Sequence, residues 1–200
     1  MYLYKPFNAN IAKRIKNIAY PIMIGNIGRA LMGVVDMIMV GALGINAIAA
    51  VGFGEMIVTT TITSIGICLM ITTQTITARR FGEGAFSKCS SSLLNGQILG
   101  FLLGIPVLIL GFAYCQQIIS FFIKDSLTIS VCVKYTSIQF LGILFPISAF
   151  IYRGFYTGIQ QTSIYLKVVV ISNIINIYLN LGLIFGSENL LTYFSDLNIP

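Results

Sequence analysis

The 200-residue chain is 56% apolar and only 9% charged, with 12 basic side chains against 6 acidic ones and a formal charge of +6. Soluble domains carry about 25% charged residues, so this chain cannot cover a water-facing surface and is suited to lipid. The positive balance does not mark a nucleic-acid binder, because the bases fall between apolar segments rather than on one patch.

Histidine is absent and no Cys-x-x-Cys occurs, so a zinc site has almost no support. Cys68, Cys89, Cys115 and Cys132 are scattered and read as apolar helix filler. No nucleophile–base pair or cofactor motif stands out, and an enzyme is not expected.

A membrane-spanning helix needs about 20 predominantly apolar residues. The sequence predicts such helices near 17–42, 47–77, 92–115, 129–151 and 167–187. The expected fold is an all-α membrane protein of about five transmembrane helices. Residues 1–16 form an N-terminal segment, 17–187 a helical lobe and 188–200 a tail.

The first helix is too long for a signal-peptide core, and no small-residue cleavage site follows it. It carries Arg29 and Asp36. An ionisable group in hydrocarbon costs roughly 2.5–3.5 kcal/mol on insertion scales. Asp36 is therefore the prime functional candidate, facing a cavity where a proton, metal ion or cationic substrate visits. The alternative is charge compensation with Arg29, which lies seven residues away on nearly the same face.

The second helix holds Glu55, hydroxyl-rich runs at 59–64 and 71–77, and Gln74. The hydroxyls can bond back to the preceding turn. Glu55 reads as an interfacial carboxylate near the outer end. Gln74 reads as a helix–helix contact or a cavity-lining amide. The following FGEGAFSK (81–88) is glycine-rich but lacks the Lys-Ser/Thr of a phosphate loop. In the third helix Gly96, Gly100 and Gly104 form a small-residue ridge for close packing. Pro21 and Pro106 are expected to kink their helices or mark their ends.

The last helix carries Asn173, Asn176 and Asn180 within about 60° of one another. Such a stripe either glues neighbouring helices together or partners a carboxylate such as Asp36, since an amide both donates and accepts.

Lys5, Lys13, Arg14, Lys16, Arg79, Arg80, Lys88, Arg153 and Lys167 would share one side, with only Lys124 and Lys134 near the other. The positive-inside rule then places the N-terminus in the cytoplasm and the tail after Gly186 outside.

Several segments, in order, resemble the multidrug and toxic compound extrusion (MATE) transporters. They are Pro21 followed by MGVVDMIMVGALG (32–44) and IAAVGFG (48–54), then TQTITARRFGEG (73–84), then YRGFYTGIQQTSIYLKVVVISNIINIYLNLGLIFG (152–186). The resemblance implies an antiporter of the plasma membrane, in bacteria the inner membrane. It would expel small organic cations or metabolites against a proton or sodium gradient, with no cofactor beyond that ion and no nucleic-acid partner.

Within the resemblance, Asp36 matches the first-helix coupling carboxylate, and Asn176 and Asn180 match the paired polar positions around it. Asn173 and Gln74 are added as cleft candidates. Family members have twelve helices in two six-helix halves. This chain is therefore expected to be a partial N-terminal lobe, inactive without a C-terminal lobe or partner chain. Two other readings stay open. One is a non-transporting membrane module that packs with a separately encoded lobe. The other is a lipid-linked saccharide flippase of the same superfamily, against which Arg29 stands as the only strong intramembrane base.

Overall fold

The structure, a computed structural model, describes residues 9–42 and 44–185. Six helices follow in chain order: α1 (Ala9–Gly41), α2 (Ile45–Gly82), α3 (Phe86–Phe122), α4 (Ser126–Leu141), α5 (Leu144–Gly158) and α6 (Thr162–Phe185). The described residues contain no strand. Helices α1, α2, α3 and α6 are each long and apolar enough to cross a membrane, and α4 with α5, bent by 47° at a short break, meet the same test when taken together.

That break corrects the expectation of one continuous helix over 129–151. In an unbroken helix Pro146 would face the carbonyl of Gly142 with no N–H to offer and with its ring in collision. The chain resolves this by ending α4. The Gly142 carbonyl instead accepts from the Phe145 N–H at 3.1 Å, and α5 starts afresh. Pro21 and Pro106, by contrast, lie inside α1 and α3.

Helix ends also move. Helix α1 is described from Ala9, so residues 9–16 are helical and continuous with the helix expected from residue 17. Residues 1–8 and the tail 188–200 lie outside the described residues. Within the 81–88 stretch only residues 83–85 connect α2 to α3; Glu83 pairs back to Arg79 and Arg80 of α2 at 3.1 and 3.6 Å, and Gly84 takes φ +74°.

Small residues set the packing. Lipid is as apolar as leucine, so helices associate by close approach rather than by escaping solvent. The Gly96–Gly100–Gly104 ridge of α3 lies against Ile151, Ile147 and Leu144 of α5. Further along the same side of α5, Gly154 meets the Met70 backbone of α2, and Gly158 meets Thr77 and the Gln74 carbonyl. The buried cluster comes from α2 to α5, with Val58, Leu69, Ile119, Phe140, Ile147 and Ile151 among its members. Helices α1 and α6 pair chiefly with each other beside this core. Leu183, Phe145 and Phe121 are 82%, 80% and 79% exposed, a surface that lipid accepts and water would not.

Candidate functional site

The seam between α1 and α6 carries the polar residues of both helices. Asn180 Nδ2 donates to Asp36 Oδ1 at 2.7 Å and to Asn176 Oδ1 at 2.8 Å. Asp36 is half-buried, five residues before the end of α1. No described residue donates to its second carboxylate oxygen. The arrangement follows from local sequence. Asn176 and Asn180 are one helical turn apart, so their side chains stack on one face, and α1 presents Asp36 to that face.

Asn173, one further turn down, does something else. Its Nδ2 donates to the Gly28 carbonyl of α1 at 3.0 Å, which makes it a helix-to-helix tie. Both readings of the asparagine stripe are thus realised, by different residues. Gln74 is not brought to this seam. Its backbone lies against Gly158 of α5. That is about 28 Å further along the α2 axis than Glu55, at 1.5 Å per residue.

Arg29 does not compensate Asp36. Its Nη2 donates instead to the Tyr165 hydroxyl at 3.1 Å. The reason is geometric: side chains on a helix lean toward its N-terminus, which carries Arg29 toward Gly25 and away from Asp36. Gly25 leaves room for Tyr165 there, because a Cβ at that position would stand 2.5 Å from the Tyr165 ring.

Glu55 is exposed, and it gains partners on α2 and α4 that the sequence reading did not assign it. Thr59 Oγ1 donates to its Oε1 at 2.6 Å, and Gln139 Nε2 donates to its Oε2 at 2.7 Å. The Tyr135 hydroxyl reaches Oε2 at 3.4 Å and accepts from Gln139 Nε2 at 2.7 Å. Glu55 and Tyr135 both lie within electrostatic range of Asp36. The sequence reading missed Tyr135 and Gln139. Their i, i+4 spacing on one face of α4 was the available signal, but nothing in the sequence pairs that face with α2.

The MatE family model matches residues 21–181. The chain belongs to the MatE family. It is 28% identical over 179 residues to a probable multidrug resistance protein NorM of Bacillus subtilis, a match that covers 87% of this chain and 38% of the relative. Against the multidrug resistance protein NorM of Vibrio cholerae it is 26% identical over 190 residues, covering 93% and 39%. The chain thus spans about two fifths of the length of these relatives.

The fold agrees with solved structures. A MOP superfamily transporter from Pyrococcus furiosus superposes with TM-score 0.80 at 22% identity, over 86% of this chain and 38% of that one. A crystal structure of MATE in complex with MaL6 gives TM-score 0.80 at 22% identity, over 87% and 39%. This MatE chain is therefore an all-α membrane lobe of the kind found at one end of these longer proteins.

Proposed function

We propose that this MatE chain is an N-terminal lobe of a secondary antiporter that exports small organic cations, with Asp36 as the residue that takes up and releases the coupling ion. The Asp36–Asn180 contact at 2.7 Å supports this most directly. A carboxylate at this depth is costly unless partnered or visited by a cation. Asn180 meets one oxygen and leaves the other for a proton or a sodium ion. Asn176 fixes the Asn180 amide so that its N–H points at the carboxylate. Cation capture would neutralise Asp36, weaken its pull on Asn180 and let α1 and α6 shift against each other. The N-terminus is cytoplasmic in this reading, and a second lobe supplies the facing wall of the cleft.

The test uses vesicles with an imposed proton or sodium gradient and a fluorescent organic cation. The chain alone should show no gradient-driven uptake. The chain assembled with the second lobe of a relative should show it, and Asp36→Asn should abolish it, since the substitution keeps size and hydrogen bonding but removes the charge. Uptake by the isolated chain would overturn the lobe reading. Undiminished uptake in the variant assembly would overturn the role of Asp36. Absence of uptake in the unmodified assembly would favour a non-transporting module.

A further inference from the structure

A second polar cluster lies where α1, α5 and α6 meet, well away from Asp36. Tyr165 and Asn180 are about 22 Å apart along α6 at 1.5 Å per residue. Two guanidiniums share one aromatic ring there. Arg153 Cζ is 4.1 Å and Arg29 Cζ 5.8 Å from the Tyr165 centroid, and Arg29 Cζ is also 5.7 Å from that of Phe150.

Every acceptor they reach is neutral. Arg29 donates to the Tyr165 hydroxyl at 3.1 Å, that hydroxyl donates to Asn26 Oδ1 at 3.1 Å, and Arg153 Nη2 donates to the same Oδ1 at 3.0 Å. Among the described residues the only ion pairs involve Glu83, and neither Arg29 nor Arg153 has an acidic partner. Both flank a cavity of about 310 Å³ whose walls include Phe150, Tyr165, Ser172 and Asn173.

Two like charges side by side repel each other, and a counter-charge relieves that cost. Each guanidinium has five N–H donors in a planar fork and gives one to a described side chain. The forks match the paired oxygens of a phosphate or carboxylate, and Ser172 and Asn173 add neutral polar groups to the wall.

We infer that this cavity is an oxyanion site, in which Arg29 and Arg153 clamp a phosphate or carboxylate group against the Tyr165 and Phe150 rings. The anion is either the head group of an acidic phospholipid or a soluble anion. The site is independent of ion coupling at Asp36.

The test takes the purified full chain from vesicles of equal phosphatidylcholine and phosphatidylglycerol and counts retained lipid by native mass spectrometry. A parallel arm measures the melting temperature in inorganic phosphate against chloride at matched ionic strength. The variants are Arg29→Gln with Arg153→Gln, and Lys88→Gln as a control base elsewhere on the chain, with folding checked by circular dichroism. Preferential retention of phosphatidylglycerol, reduced about tenfold in the double variant and kept in Lys88→Gln, supports the site with a lipid head group as its source. Stabilisation by phosphate that disappears in the double variant supports it with a soluble anion. If the unmodified chain shows neither response, the inference is overturned whether or not the double variant folds. Responses that survive in the folded double variant, or that Lys88→Gln removes equally, overturn it as well.

Discussion

Asn173 and Asn180 are the same residue type on the same helix face, yet they meet different partners. Asn173 bonds a backbone carbonyl of α1, whereas Asn180 bonds a carboxylate. Their substitutions should therefore separate. Asn173→Ala removes one interhelical hydrogen bond, worth about 0.6 kcal/mol in membrane proteins. It should lower thermal stability slightly and leave any coupled transport by the assembled protein intact. Asn180→Ala removes the donor to Asp36 and should shift the proton or sodium concentration for half-maximal transport in the assembled vesicle assay. Equal effects of both variants on transport and stability would refute this division of labour. Glu55 belongs to the same scale: its bonds to Thr59 and Gln139 hold a second acidic side chain within the field of Asp36.

Glycine at a helix crossing acts through the element opposite it. A Cβ on Gly154 would collide with the Met70 carbonyl of α2, which is backbone and cannot rotate aside, whereas a Cβ on Gly33 meets nothing within 4 Å. Gly154→Ala should destabilise the lobe by about 1–3 kcal/mol through forced separation of α2 and α5. Gly33→Ala should be neutral or stabilising by up to about 1 kcal/mol from helix propensity. Denaturation in mixed micelles would rank the two, and the reverse order would refute the packing account.

At the start of α4, Asp125 accepts from the Thr128 hydroxyl at 2.5 Å and from its N–H at 2.8 Å, as an N-cap. These bonds, the hydroxyl foremost, hold the exposed carboxyl below its usual value. A lowered carboxyl pKa contributes stability that is present above the unfolded-state value and is lost as pH falls through the folded one. Amide exchange in the first turn of α4 should thus be slow at neutral pH and quicken only below the ordinary carboxylate range. Asp125→Ala should make it fast throughout. Exchange in Asp125→Ala that matches the unmodified chain at neutral pH would remove the cap from the argument.

Over the whole molecule, α3 runs from Phe86 to Phe122 and separates Lys88 from Lys124 by a full span. The excess of bases on the Lys88 side predicts that this side is cytoplasmic. With the native cysteines replaced, Lys88→Cys should resist a membrane-impermeant maleimide in intact cells and Lys124→Cys should react. Labelling of both from outside would overturn the five-span topology, and the inverse pattern would overturn its orientation.

The amino-acid sequence by itself determined the solvent, the all-helical membrane fold, the small-residue packing ridge and the candidate pair of Asp36 with the last-helix asparagines. Each follows from composition, from period along one helix or from ordered motifs, and needs no knowledge of neighbours. Only the tertiary structure decided which asparagine reaches Asp36 and which ties α1 to α6. It also carried Gln74 away from the seam, gave Glu55 its partners on α4 and set Arg153 beside Arg29 over one tyrosine ring. These are contacts between residues distant in sequence, and periodicity within a helix says which face a residue occupies but not which helix that face meets. The break at Gly142 lies between the two cases. The sequence reading singled out Pro21 and Pro106 and passed over Pro146; those two are absorbed inside their helices, whereas at Pro146 the chain restarts as α5.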